Sequence, residues 1–91
     1  MAIVVEFFGI PRARTGVKQI QVLAGCDSAS ISEVLAEVAN QYPDFGTSCV
    51  SEGKLLGGFV ASINGDQFIR DEETRVASGQ SLLILSADAG G

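Results

Sequence analysis

Hydrophobic and polar positions follow a strand pattern in five stretches of the chain, which are residues 2–8, 17–23, 59–64, 67–70 and 82–86. The first and last stretches place apolar residues at consecutive positions. This predicts two central strands that lie side by side and are covered on both faces. Short connections, a turn over residues 9–16 and the Asn64–Gly65 pair, predict antiparallel hairpins at both ends of the chain.

A single segment has clear helical spacing, SISEVLAEVANQYP at residues 30–43. Ser30 and Glu33 have the spacing of a capping box, in which each side chain accepts from the other residue's backbone N–H. The apolar stripe consists of Ile31, Val34, Leu35, Val38, Ala39 and Tyr42. Pro43 disfavours helical geometry at the residue before it and predicts the helix end.

Two further segments have no regular period. Residues 43–58 are rich in glycine and predict an irregular connection that could carry partner contacts. Residues 71–81 are polar and predict a second connection. The order is therefore β-β-α-β-β-β, which predicts an α+β domain over residues 1–86 with a mixed sheet of about five strands and one main helix on one face.

Composition restricts the classes of function. The chain has 91 residues and a net charge of −5, which argues against a nucleic-acid partner. No apolar run is long enough to span a bilayer, so we expect no membrane partner. The first residues lack the pattern of a signal peptide, and we expect a cytoplasmic location.

Side chains for catalysis are scarce. There is no histidine, and Cys26 and Cys49 are too far apart for a usual zinc site, so both are interpreted as small buried hydrophobes. The acidic run Asp71–Glu73 is interpreted as a solvated surface. We therefore predict no active site and no bound metal or cofactor in this chain.

The chain ends in five residues that follow the last predicted strand, Ala87, Asp88, Ala89, Gly90 and Gly91. Apart from Asp88 their side chains are small or absent, so a narrow tunnel in a partner could accept them. The reactive group would then be the Gly91 α-carboxylate, which needs activation before it can transfer an acyl group. The alternative is a frayed end without a role.

The sequence resembles the ubiquitin-like sulfur-carrier family, which includes the molybdopterin synthase small subunit and the thiamin sulfur carrier. The resemblance rests on four segments in order: VVEFFG, the capped helix, FVASINGDQFI and RVASGQSLLILSADAGG with its terminal Gly90–Gly91. It implies a β-grasp fold. The length of the chain favours the molybdopterin-type branch, whereas Asp88 departs from the usual tails of that branch.

The family mechanism implies a role for the predicted tail. An E1-like enzyme would use ATP and magnesium to adenylate Gly91, and a sulfur donor would convert it to a thiocarboxylate. Gly90 and residues 87–89 would enter the tunnel of a sulfur-accepting synthase, such as a molybdopterin synthase large subunit. The chain would then be a carrier and not an enzyme. Two alternatives stay open: a protein modifier joined through Gly91 to lysines, and a non-covalent β-grasp binding module.

Overall fold

The computed structural model describes residues 2–23, 28–69 and 71–86, and its centre is a five-stranded mixed sheet. The strands are β1 (Ala2–Phe7), β2 (Gln19–Leu23), β3 (Ser28–Ser30), β4 (Val50–Ser51), β5 (Lys54–Leu55), β6 (Phe59–Ile63), β7 (Gln67–Phe68), β8 (Arg75–Ala77) and β9 (Ser81–Ser86). The helices are α1 (Ile10–Thr15), α2 (Ile31–Gln41) and α3 (Pro43–Cys49).

The sheet has the strand order β2-β1-β9-β6-β7. β1 and β9 are parallel neighbours at its centre, and β2, β6 and β7 pair with their neighbours in antiparallel fashion. The predicted central position of the first and last strands is therefore confirmed. Their parallel pairing also brings their carboxyl ends to the same edge of the sheet.

The long helix α2 forms as the sequence predicts. The Ser30 hydroxyl accepts from the Glu33 N–H at 3.1 Å, and the Glu33 carboxylate accepts from the Ser30 N–H at 3.0 Å. Four residues of the predicted apolar stripe are buried, Ile31, Val34, Leu35 and Val38. They pack with the buried residues of β1, β6 and β9 into one hydrophobic core.

The expectation that β1 and β9 are covered on both faces is wrong. In both strands fully buried residues alternate with half-buried ones. Ile3, Val5 and Phe7 point into the core, while Val4 and Glu6 lie on the other face. The residues on the other face of these strands, which include Leu83 and Leu85 of β9, keep part of their surface exposed to solvent. An apolar run therefore marks a central strand without showing that both sides are buried.

The predicted turn over residues 9–16 contains the short helix α1. Gly9 has a φ of 67°, which lets the chain leave β1, and Pro11 stands in the first turn of the helix, where its missing N–H costs nothing. Pro11 and Thr15 are buried on one side of α1. The proline and glycines that predicted a turn are the residues that start and end this helix.

The predicted irregular connection over residues 43–58 is mostly regular. Pro43 ends α2 and also begins α3, whose Phe45 packs edge-on against Phe7 with ring centroids 5.7 Å apart. α3 is followed by the hairpin β4–β5, with positive φ angles at both Glu52 and Gly53.

The predicted polar connection over residues 71–81 contains β8, which pairs with β3. The carbonyls of Thr74 and Glu72 accept from the N–H groups of Ile31 and Ser32, both at 2.9 Å. These groups would otherwise lack partners at the start of α2. The acidic turn therefore helps to hold the helix. No helix in the described residues is long and apolar enough to cross a membrane.

Candidate functional site at the end of the central strands

The predicted tail residues Ala87, Asp88, Ala89, Gly90 and Gly91 lie outside the described residues, as does Cys26. What the structure describes is the point from which the tail continues. Ser86 is the last residue of β9, at the edge of the sheet where β1 also ends and β6 begins. We call this region, defined by Phe7, Phe59 and Ser86, the exit edge.

Ser86 is held on two sides. Its backbone pairs with Phe59 of β6, and its side chain is buried. The Ser86 hydroxyl accepts a hydrogen bond of 3.0 Å from the backbone N–H of Ile10, the first residue of α1. Because that N–H has no partner within its own helix, the serine acts as a distant cap of α1. Ser86, the residue before the predicted tail, is thus held by β6 and α1 together.

Exposed apolar side chains surround the exit edge. Phe8 is 43% exposed although its backbone N–H donates to the Ile84 carbonyl at 3.0 Å, and Ile10 is 48% exposed. Leu56 is also exposed, and its carbonyl accepts from the N–H of Phe59. Large apolar groups left in water beside one edge are typical of a contact surface.

A second apolar surface is the side of the sheet away from α2. We call it the outer face; its residues are Val4, Glu6, Val60, Ser62, Phe68, Leu83 and Leu85. Phe68 is 64% exposed, more than the other large apolar residues described as exposed. The register places Ser62 between Phe68 and Leu83, and Ser62 is 2% exposed with a hydroxyl that has no hydrogen-bond partner in the described structure.

The charged side chains of the described residues include an exposed pair of arginines and one salt bridge. Arg12 and Arg14 are exposed on α1, beside the exit edge. Most acidic residues lie elsewhere, and Glu33 at the start of α2 forms a 3.7 Å salt bridge with Arg75. The Ser30 backbone N–H, then the Ser30 hydroxyl and the nearby Arg75 charge, hold the pKa of Glu33 below its usual value. The carboxylate is therefore a helix cap, which does not suit it to proton transfer.

The other chemistry-bearing candidates have structural roles. Cys49 is fully buried, as predicted, and burial raises the pKa of its thiol, which makes it a weak nucleophile. Asp71 and Glu73 are exposed, as expected for a solvated turn. Among residues 2–23, 28–69 and 71–86, no group of three or more metal-ligating side chains could hold a metal ion.

The sequence alone did not establish the two contact surfaces, the exit edge and the outer face. From the sequence alone, Phe59, Phe68 and the loop that contains Arg12 and Arg14 are candidate contacts, but core packing and a solvated loop are the favoured interpretations. The structure distinguishes the two phenylalanines. Phe59 packs partly against the core, whereas Phe68 is exposed on the outer face.

Solved structures with the same architecture are known. A chain of the BexX/CysO complex from Amycolatopsis orientalis matches with a TM-score of 0.79 and 29% identity, over 99% of this chain and 100% of that chain. SAMP1 from Haloferax volcanii matches with a TM-score of 0.80 and 16% identity, over 100% of both chains. A chain of the complex between subunits 1 and 2 of the Helicobacter pylori molybdopterin-converting factor matches with a TM-score of 0.64 and 19% identity, over 100% of both chains.

The chain has the β-grasp fold of ubiquitin-like carriers and modifiers. The sequence resemblance is confirmed in this respect, since the structural neighbours are ubiquitin-like small modifiers and sulfur carriers. The predicted fold class, an α+β β-grasp with a five-stranded mixed sheet, is confirmed as well. No protein-family model and no curated protein matches the chain.

The β-grasp neighbours are small carrier or subunit proteins, and two of them were solved in complex with a partner. The described residues place exposed apolar side chains around the end of a central strand. This arrangement fits a carrier or modifier that works with a partner protein. The same comparison favours no single pathway, since the neighbours include SAMP1, CysO and molybdopterin-converting factor proteins.

Proposed function

We propose that this β-grasp protein is a sulfur carrier whose Gly91 is its reactive residue. The observation that carries the proposal is the full-length structural match to carrier proteins, at 29% identity for the chain from the BexX/CysO complex. It is supported by the exit edge, where Ser86 is held in place and five residues with small side chains, except Asp88, follow.

The proposed chemistry begins with activation by an E1-like enzyme. The Gly91 carboxylate attacks the α-phosphorus of ATP, forming an acyl-adenylate and releasing pyrophosphate, with ATP and Mg²⁺ held by the enzyme. A sulfide-equivalent nucleophile from a sulfur donor then attacks the acyl carbon and displaces AMP. The product is a thiocarboxylate, and no electrons are gained or lost when the nucleophile is at the oxidation level of sulfide.

The carrier then delivers its sulfur to an accepting synthase. Residues 87–91 span at most about 16–18 Å when extended, enough to reach an active site below the surface of a partner. The proposed destination is molybdopterin synthesis, with a synthase large subunit as acceptor, in keeping with the complex between the two subunits of the converting factor. The outer face, with Phe68 exposed, supplies the apolar contact that a small carrier needs for docking.

Adenylation is tested by ATP–pyrophosphate exchange with the E1-like enzyme of the same organism. We expect exchange to require the chain and to be lost in a variant that lacks Gly90 and Gly91. Circular dichroism on the truncated variant controls for its fold. Exchange that persists after the deletion would contradict the proposed role of Gly91. The non-covalent binding module, the third function considered from the sequence, would be favoured by a different result, in which the full chain supports no exchange with an active E1-like enzyme.

A protein modifier is the second candidate, favoured by the structural match to SAMP1, a small archaeal modifier protein. It would share the acyl-adenylate but transfer Gly91 to a lysine amine. The last basic residue is Arg75, so trypsin would leave residues 76–91 as a long branch on the target lysine. A protease that cleaves before aspartate would leave only residues 88–91, which suits mass spectrometry better.

The two candidates differ in whether lysines of target proteins carry residues 88–91 after this digestion. Lysines that carry it in cells making the full chain, and not in cells making the Gly91-deleted chain, would establish the modifier. We expect none under conditions in which the thiocarboxylate is detected.

A further inference from the structure

Two polar side chains of the outer face lack a partner in the described part of the chain. Ser62 is 2% exposed, and its hydroxyl is the one buried side-chain polar atom there without a hydrogen bond. Glu6 is half-buried, and it takes no part in the one described salt bridge, which joins Arg75 to Glu33. Because a buried polar group is normally paired, an unpaired hydroxyl among apolar neighbours needs an explanation.

The strand register places both polar groups in one row across the outer face. Glu6 of β1 is opposite Leu83 of β9, which is opposite Ser62 of β6. Phe68 of β7 stands on the other side of Ser62. Neighbouring strands lie about 4.8 Å apart, so the four side chains form a row about 14 Å long. Polar and apolar groups alternate along it.

Phe68 is the neighbour of Ser62 that a partner can reach. The Ile69 N–H donates to the Ala61 carbonyl at 2.9 Å. Since hydrogen-bonded and non-hydrogen-bonded pairs alternate between antiparallel strands, Ser62 and Phe68 form a non-hydrogen-bonded pair, in which side chains stand closest. The Phe68 ring is nevertheless 64% exposed, on a two-residue strand at the edge of the sheet. A partner that moves this ring reaches the Ser62 hydroxyl without disturbing the core.

Charge argues against a second copy of this chain as the occupant of the outer face. The seven residues that define the face include Glu6 and no basic side chain, and Asp66 is exposed on the turn beside Phe68. Two such faces would bring acidic side chains together in chains that each carry a net charge of −5. The face is therefore complementary to a different protein, with an apolar surface that carries a cationic side chain.

We propose that Ser62 and Glu6 are the polar anchors through which the outer face binds the accepting synthase. The synthase presents a cationic side chain to Glu6 and a hydrogen-bonding group to the Ser62 hydroxyl. This inference rests on the proposed function, which assigns the outer face to that partner. The hydroxyl is unpaired in the free chain and paired in the complex. Because a purely apolar surface discriminates poorly, the two polar groups set the register and the choice of partner.

The role of the hydroxyl is tested by a substitution that affects folding and binding differently. Ser62→Ala removes an unpaired group, so its urea midpoint should equal or exceed that of the unaltered chain. Its binding to the molybdopterin synthase large subunit of the same organism should weaken about fivefold in titration calorimetry. Ser81→Ala, at a half-buried serine opposite Val4, is the matched control and should bind within about twofold of the unaltered chain.

Two results would contradict the role of Ser62. A urea midpoint that falls more for Ser62→Ala than for Ser81→Ala would show that the hydroxyl already has a partner in the free chain. Equal affinities of the two variants for the large subunit would show that the complex gives it none.

The role of the carboxylate is tested by neutralising it. Glu6→Gln should weaken binding to the large subunit about tenfold at 50 mM NaCl, and less at 500 mM, because an attraction between opposite charges is lost. Glu37→Gln makes the same change in net charge on the exposed side of α2, across the sheet from the outer face, and should stay within about twofold. Equal effects of the two substitutions would contradict the inference, since net charge alone would then explain them.

Other occupants of the outer face would give other results. Self-association of the unaltered chain in sedimentation, lost in Phe68→Ser, would assign the face to a second copy and contradict the inference. Loss of ATP–pyrophosphate exchange in Ser62→Ala and Glu6→Gln, with unchanged binding to the large subunit, would assign it to the E1-like enzyme and also contradict it. Failure of the proposed function would look different, since the unaltered chain itself would then not bind the large subunit.

Discussion

The Ser86 hydroxyl accepts a hydrogen bond from the Ile10 N–H across 3.0 Å, although the two residues are 76 positions apart in sequence. It joins the last residue of the central strand to the first residue of α1. The bond therefore links the residue before the predicted tail to the helix that carries Arg12 and Arg14.

Ser86→Ala should destabilise the fold by about 1–2 kcal/mol, because it removes this bond and leaves the Ile10 N–H without its partner. Urea unfolding followed by circular dichroism measures the loss. Ser51→Ala, at an exposed serine of β4, is the matched control and should change stability by less than about 0.5 kcal/mol. Equal effects of the two substitutions would show that the Ser86 bond contributes nothing.

Gly46 of α3 lies against α2 so closely that a Cβ there would be 2.8 Å from the Ala39 Cβ. Gly46→Ala should therefore force the two helices apart, at a cost of about 1–3 kcal/mol. Gly57 is the matched control, because a Cβ there meets nothing within 4 Å and its backbone is outside the left-handed region. Gly57→Ala should be neutral or stabilise by about 0.4–1 kcal/mol. Thermal unfolding of both variants measures these changes in stability, and equal losses in the two would contradict the predicted clash at Gly46.

Phe68→Ser should leave stability within about 0.5 kcal/mol of the unaltered chain, because the ring is mostly exposed. Binding to the partner that accepts the tail should fall at least about tenfold, as expected for an aromatic residue central to an interface. Phe68→Leu, which keeps an apolar group on the outer face, should restore part of the affinity. Unchanged binding of Phe68→Ser would remove the outer face from the docking surface.

The lowered pKa of Glu33 gives stability a pH dependence. A carboxyl whose pKa is lower in the folded state stabilises the fold above its unfolded pKa, and that contribution is lost as pH falls through the folded pKa. Glu33→Gln should therefore be less stable than the unaltered chain at pH 7, and the difference should shrink in acid, below the unfolded value of about 4.3. A difference that stays constant from pH 7 to pH 2 would contradict a charge-dependent cap.

The elements with strong local signals could be predicted from sequence. α2 combines a capping box with an apolar stripe over eleven residues, and the structure has both. The apolar runs of β1 and β9 placed them correctly at the centre of the sheet. In each case several neighbouring residues favour the same structure, so tertiary contacts did not need to override them.

The short helices could not be predicted in the same way. α1 has six residues and α3 has seven, too few for a helical period to appear. Both have a proline in the first turn, a residue that is also common in turns. The burial of Phe45 against Phe7 exists only once the chain has folded.

The candidate site was predicted in part. The composition of residues 87–91 pointed to the tail, which lies outside the described residues, so its role remains a proposal. The outer face was missed because Leu83 and Leu85 looked like a second buried side of β9. An apolar residue that faces a partner and one that faces a core have the same sequence pattern. The Ser86–Ile10 bond has no sequence signal, since its partners lie at opposite ends of the chain.

The central claim is that Gly91 becomes a thiocarboxylate, and the intact mass of the chain tests it most directly. The chain is incubated with the E1-like enzyme of the same organism, ATP, Mg²⁺ and sulfide. We predict a species heavier by the difference between one sulfur and one oxygen atom, located by fragmentation at Gly91. The variant that lacks Gly90 and Gly91 should stay unchanged. A chain of unaltered mass, when the enzyme demonstrably forms the Gly91 adenylate, would contradict the account.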